Sequence, residues 1–287
     1  MDKEALGYLR TLALAALLGF PVAFAAVLFQ TAIHDTIHFV WDVVPHWLDW
    51  SEPAAWYVIL VPALAGALVA LCFRLPGHGG HSPLEGISTA PIPPVELPSI
   101  LLAGLATLGL GLVLGPEAPL IALGLGLGAI AVRLVRLEQT EAQLLALAGA
   151  FAAIAALFGG PLVASLMLLE IVAMSGKIPA ATISRALLPG FVAAGTGALV
   201  FTGVGDWQGL HQSDLALPSL PAYDSVRLAD LAWGIVLSVV IAGLVVGIRH
   251  LAHGVATKAT RRPHLTLVVA GALVGLLAVL FRAIADR

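Results

Sequence analysis

Charge is what this sequence has least of. Of its 287 residues, 11% are Asp, Glu, Lys or Arg and 60% are apolar, whereas a soluble domain is nearer a quarter charged and half apolar. With a mean hydropathy of +1.00, the composition excludes a soluble enzyme domain. Its 14 basic and 17 acidic side chains leave a net charge of -3, so no overall basic field exists to hold nucleic acid. Cysteine is almost missing too. Cys72 alone cannot close an intrachain disulfide, and no CxxC or Cys/His cluster has zinc spacing. Neither a cofactor nor a metal site is expected. The sequence also lacks a Gly-x-Ser-Gly nucleophile and an HExxH motif, which argues against intramembrane proteolysis. No enzymatic activity is expected.

What is present is a series of apolar runs. A helix needs about 20 such residues to span a bilayer, and the candidates are Leu12–Gln30, Ala55–Phe73, Ile100–Leu114, Leu120–Val132, Glu141–Phe158, Leu162–Met174, Ala180–Phe201, Leu228–Ile248 and Leu265–Phe281. Several are too short to cross alone. Gly115-Pro116-Glu117-Ala118-Pro119 interrupts one region and Phe158-Gly159-Gly160-Pro161 another, and proline neither donates to a helix nor fits its preceding turn. The fold expected is an all-α polytopic membrane protein with helices broken inside the bilayer, where only protein or a cavity can surround such backbone. Met1 to Arg10 carries both signs of charge, and the apolar run after it is longer than a signal-peptide core, so it reads as a retained first membrane helix.

The loops give an orientation. Ile33 to Pro53 holds Asp35, Asp42, Asp49 and Glu52 with no Lys or Arg, and Gly203 to Ser225 holds Asp206, Asp214 and Asp224, again with none. Both are placed outside by the positive-inside rule. Arg74, Arg133, Arg136, Lys177, Arg185, Arg249, Lys258, Arg261 and Arg262 then mark the cytoplasmic side, with the N-terminus. An internal repeat fits this arrangement. Leu9–Phe29 followed by Ala55–Phe73 resembles Leu228–Ile248 followed by Leu265–Phe281, with Gly66-Ala67-Leu68-Val69 answering Gly271-Ala272-Leu273-Val274. The copies begin on opposite sides, so this is an inverted-topology repeat, the kind that places substrate sites at the repeat interface. The organisation expected is a first repeat over 1–202, an extracytoplasmic loop over 203–227 and the opening of a second repeat over 228–287.

Glu117 carries the most information. A carboxylate inside the bilayer costs on the order of 2.5–3.5 kcal/mol even on permissive scales, and this one stands at the first turn of a helix, where unpaired N–H groups and the positive end of the dipole favour an anion. A protonatable carboxylate there can occupy an anion site or vacate it.

Gly111 to Pro119 with Gly124 and Gly128 resembles the signature of the CLC chloride channels and chloride/proton antiporters, G-[KR]-E-G-P followed by spaced glycines. Gly77-His78-Gly79-Gly80-His81-Ser82-Pro83-Leu84-Glu85-Gly86 stands where that family has G-S-G-I-P, Gly149 to Ala164 resembles its A-F-N-A-P-L-A-G region, and Leu168-Leu169-Glu170 its I-E-E. The resemblance implies a CLC-like inverted repeat, transport of a small anion such as chloride, a homodimer in the cell membrane, and Glu117 as the gate. It implies an anion site built from His78, Gly79, Gly80, Gly115, Ala118 and Pro119, with Glu170 on a proton path. There are departures. Pro116 replaces a basic residue and Ala118 a glycine. The chloride-coordinating serine is replaced by His78 or Gly79, according to whether Gly77 or Glu85-Gly86 sets the alignment, which leaves fluoride open as the substrate. Ile171 stands where the antiporters have their internal proton-transfer glutamate. The later G-x-F-x-P loop and inner tyrosine have no counterpart after Phe201, since Tyr223 falls in an outside loop. From these gaps the 287 residues alone are expected not to close a pore, and a non-conducting regulatory half is the alternative to transport.

Other polar residues have plainer readings. His34 and His38 stand at i, i+4 but read as solvated interface, and Trp41, Trp47, Trp50 and Trp56 read as an aromatic belt. The glycines at 104, 109, 111, 124, 126 and 128 read as close helix packing, and Ala193, Ala194, Gly195 and Gly197 as a dimer face.

Overall fold

Long helices dominate, as the apolar runs require, and in the computed structural model they cover most of the residues described: 3–80, 91–175, 180–204, 227–259 and 262–285. Most of the expected loop 203–227, the second half of the glycine motif from His81 and the side chain of Ile171 lie outside the described residues. In chain order the helices are α1 (Lys3–His38), a π-helical turn (Phe39–Val43), α2 (Val44–Trp47), α3 (Ala55–Cys72), a short 3₁₀ turn (Pro94–Glu96), α4 (Leu97–Gly109), α5 (Glu117–Val135), α6 (Gln139–Phe158), α7 (Pro161–Ser175), α8 (Ala180–Val204), α9 (Leu228–Ala259) and α10 (Pro263–Ala285). Among the described residues, six helical segments are long and apolar enough to cross a membrane. The chain is a multi-pass membrane protein.

One expectation gives way here. Ile33–Pro53 is not a loop: helix runs on to Trp47, and only Leu48–Ala54 lies between α2 and α3. The polar residues that end the apolar run do not end the backbone ladder. They support it, Thr36 donating its hydroxyl to Ala32 O at 2.6 Å and His38 Nδ1 standing 3.0 Å from the Asp42 carboxylate one turn on. At 36 residues, α1 is about 54 Å long, well beyond a bilayer core of about 30 Å.

The core is α6. Every residue from Leu144 to Leu157 is buried, enclosed by α1, α5, α7 and α8. Lipid is as apolar as leucine, so helices gain by close van der Waals approach between small residues rather than by apolar burial. A Cβ on Gly124 would strike the carbonyl of Gly149, and a Cβ on Gly149 the carbonyl of Gly124, so α5 and α6 meet backbone to backbone. Likewise Gly19 of α1 lies against Ala193 and Thr196 of α8. This corrects the dimer-face reading of Ala193, Ala194 and Gly197. The first two are fully buried within the chain and Gly197 faces Ala23 and Gly19, leaving Gly195 with open space.

Contacts at the helix ends fix relative directions. Tyr8 donates to Arg185 O at 3.1 Å and Arg10 to Val135 O at 3.2 Å, so the starts of α1 and α8 share a face with the end of α5. On the opposite face Tyr57 donates to Val40 O at 2.5 Å, and Arg282 reaches Pro53 O at 2.8 Å and the Glu52 carboxylate at 3.8 Å.

The two Gly-Ala-Leu-Val stretches meet where α3 packs on α10. A Cβ on Gly66 would run into Leu267 O, and one on Gly271 into Pro62 O. The contact is reciprocal, as it is between Gly124 and Gly149, and small residues let both backbones approach.

Gly124→Val and Gly271→Val each force a side chain into backbone and are expected to cost about 1–3 kcal/mol. Thermal unfolding in detergent should show both variants melting below the parent. Gly234→Val on α9, where an added Cβ meets nothing within 4 Å, should melt with the parent.

Candidate functional site

A helix that stops and restarts among other helices must leave backbone groups without helical partners. α4 stops at Gly109, and the chain turns at Gly111, whose φ of +86° lies in the left-handed region that favours glycine. Leu112 N–H finds Thr107 O at 2.9 Å and Leu114 N–H finds Leu112 O at 3.0 Å. Pro116 then caps α5 with φ −75° and ψ −1°. Pro119 is tolerated two residues into the helix, since the N–H it lacks would have had no helical partner there.

These prolines decide which donors remain. The first helical bond of α5 runs from Leu120 N–H to Pro116 O at 3.1 Å. Pro116 and Pro119 have no N–H, so the amides of Glu117 and Ala118 alone face outward from the helix start. The positive end of α5 is thus concentrated on two adjacent donors. Glu117 is half-buried, Ala118 is exposed and Pro119 is buried. The carboxylate folds back over the bare Cα of Gly115, where a Cβ would collide with Glu117 Oε2. No described side chain donates a hydrogen bond to it. It rests at the helix start without being pinned there.

The glycine motif forms a second backbone device. Gly77, His78, Gly79 and Gly80 have φ of +89°, +48°, +75° and +96°, four successive residues in left-handed geometry, where a non-glycine such as His78 is uncommon. Three of their amides are engaged: His78 N–H with Leu75 O at 3.1 Å, Gly80 N–H with Gly77 O at 2.8 Å and Gly79 N–H with Ser99 Oγ at 3.3 Å. Ser99 is fully buried and passes its own proton to Glu96 O at 3.1 Å.

α4 joins the two devices. Gly104 lies beside Pro119 and Gly126 beside Leu97, so α4 and α5 run antiparallel. Ser99 therefore stands level with a point on α5 roughly 10 Å along the helix from Glu117. The structure brings Gly115, Glu117, Ala118 and Pro119 together at one helix start and sets His78, Gly79 and Gly80 at the far end of α4. Glu170 is exposed on α7, which packs on α6 and α8. Sequence reasoning missed Ser99, whose one signal is a lone hydroxyl in the apolar stretch from Leu97 to Ala106. It also missed that Trp41 lies against Gly111.

Comparison with known proteins gives the family and the fold. The profile of the family described as voltage gated chloride channel matches residues 77–286. The proteins described as putative ion-transport protein YfeO from Escherichia fergusonii and from Shigella boydii are each 31% identical over 248 residues, which is 84% of this chain and 56% of theirs. The chain thus spans about half the length of these curated relatives. The fold matches an X-ray crystal structure of a slow cyanobacterial Cl-/H+ antiporter with a TM-score of 0.71 at 20% identity, covering 93% of this chain and 63% of that one.

Ser99→Ala leaves the part-buried Gly79 N–H without its acceptor, a loss of about 1 kcal/mol. Amide hydrogen exchange over Gly77 to Gly80 is expected to rise about tenfold, and Ser99→Thr, which keeps the hydroxyl, should restore it. Unchanged exchange in Ser99→Ala would remove the latch from this account.

Proposed function

This chain belongs to the voltage gated chloride channel family, and from that premise we propose that it carries a small anion, chloride before fluoride or nitrate, across the cell membrane with Glu117 as its gate. The observation that carries the reading is the Glu117 carboxylate lying over Gly115 at the start of α5, beside the two amides that the flanking prolines leave free. An ionised carboxylate there holds the place an anion would take. Once protonated it has no charge to set against the helix end, and the place opens.

Magnitudes favour a gate over a fixed cap. A charge at a helix end is worth roughly 0.3–1 kcal/mol, and up to about 2 when partly buried. A hold of that size can be given up, whereas a carboxylate pinned by several hydrogen bonds would stay in place. The sign follows: removing the charge of Glu117 opens the place, so anion flux rises with acid.

Gly115, Ala118 and Pro119 form the anion's seat in this reading, and the turn of His78, Gly79 and Gly80 lines the path further along α4. Ile171 has no proton to exchange, which favours permeation over a fixed chloride/proton exchange, with Glu170 the remaining carboxyl for any proton path. The N-terminus, the end of α5 and the start of α8 lie on the cytoplasmic side in this reading, by the positive-inside rule applied to Arg133, Arg136 and Arg185, and the unit is a homodimer in lipid. Relatives described as an ion-transport protein and a Cl-/H+ antiporter support transport over a non-conducting role, and efflux through the 287-residue chain would overturn the expectation that it closes no pore alone.

The test is chloride efflux from proteoliposomes across the range in which carboxyl groups titrate. The parent should conduct more at acid pH, while Glu117→Ala and Glu117→Gln should conduct at a level insensitive to pH. A Glu117→Ala protein that keeps the parent's pH response would sink the assignment.

A further inference from the structure

We propose that Trp41 is a positioning residue for the Glu117 gate, its ring holding at Gly111 the non-helical segment on whose far end the carboxylate rests. This rests on the reading of Glu117 as the gate. The argument begins in α1, which passes into the π turn Phe39–Val43, closed by Val44 N–H on Phe39 O. A π turn accommodates one residue more than an α turn, so side chains in and beyond it are carried round the axis by up to about 100°. Such turns are frequent at functional sites. This one brings Trp41 to Gly111: a Cβ built there would come within 2.6 Å of Trp41 Cζ2. One turn earlier, Thr36 Cγ2 lies against Gly109 in the same way. The place where α4 stops is thus held by α1 at both Gly109 and Gly111.

Trp41 is itself anchored. It meets Tyr57 edge to face with centroids 5.8 Å apart, and Tyr57 meets Trp50 and Trp56 at 5.6 and 5.9 Å. The Tyr57 hydroxyl donates to Val40 O, the residue before Trp41. The interfacial-belt reading fits Trp47 and Trp56, which are 68% and 57% exposed. It does not account for Trp41, which is half-buried and faces protein. Beyond Gly111 the segment is bare on its outer side, with Val113 92% exposed, and four residues on comes Gly115, the seat of the carboxylate. Loosening the hold at Gly111 therefore loosens the seat.

The proposal is tested on the 287-residue protein by two measurements made side by side. In proteoliposomes, Trp41→Ala is expected to raise chloride efflux at neutral pH by about fivefold or more, a shift typical of a two-state element that has lost one contact, and to flatten its pH response. Trp41→Phe, which keeps a ring, should stay near the parent, and Trp41→Ala should add nothing to Glu117→Ala. In detergent, hydrogen-exchange protection of Leu112 to Glu117, corrected for the intrinsic pH dependence of exchange, should depend on pH in the parent and lose that dependence in Trp41→Ala. This second measurement needs no conduction. If Trp41→Ala does not fold, Trp41→Leu removes the ring with less loss of bulk and carries the same test. A folded variant with the parent's flux and the parent's protection at every pH would overturn the proposal, as would an effect of equal size in the Glu117→Ala background. Failure of the gate reading is recognised separately, by a pH response that persists in Glu117→Ala alone.

Discussion

A helix that begins inside a membrane protein has nowhere to send its first N–H groups. Water satisfies them in a soluble protein, but in a bilayer each unsatisfied group costs several kcal/mol. The start of α5 meets this constraint partly by subtraction, since Pro116 and Pro119 bring no N–H at all, and partly by setting the negative charge of Glu117 beside the helix's positive end. The surrounding structure follows from keeping that start in place. α4 must stop short, Gly111 must turn in left-handed geometry, and Gly104 must let Pro119 approach. The carboxylate sits among groups whose own packing leaves it little choice of position and little to hold it.

The same economy governs how the helices meet. Without an apolar driving force between them, the helices rely on backbone approach, and the reciprocal contact of Gly124 with Gly149 does for α5 and α6 what Gly66 and Gly271 do for α3 and α10. The second pair brings the two Gly-Ala-Leu-Val stretches, far apart in the sequence, into a contact that larger side chains would hold apart. Against this stands α9, 32 residues long and exposed along almost its whole length. It has the composition of a membrane helix and almost none of the contacts of a packed one.

The broad features were legible in the sequence because they are set locally. The apolar runs, the breaks at Gly115–Pro119 and Gly159–Pro161, and the inverted pair of Gly-Ala-Leu-Val stretches can all be read from neighbouring letters. The first turn of α5 is legible at Glu117 although its apolar run begins only at Leu120, because proline in a first helical turn loses nothing. The length of α1 was underestimated because His34, Asp35 and His38 ended its apolar run, though a helix is closed by backbone bonds and its polar face can turn to water. A stripe of small residues shows that something comes close but not what, which is why Ala193 and Gly197 were assigned to a second copy when α1 occupies them. Ser99 and Trp41 act on residues distant in the sequence, Gly79 and Gly111, and no local pattern marks such pairs.

The π turn between Phe39 and Val43 is one residue longer than the helix around it needs, so in the gene it corresponds to a single codon. Losing that codon would return the helix to an ordinary pitch and carry Trp47, Trp50 and everything between them about 100° round the axis, whereas exchanging one letter for another would leave the extra residue in place. What this stretch of sequence encodes is carried by its length as much as by its letters.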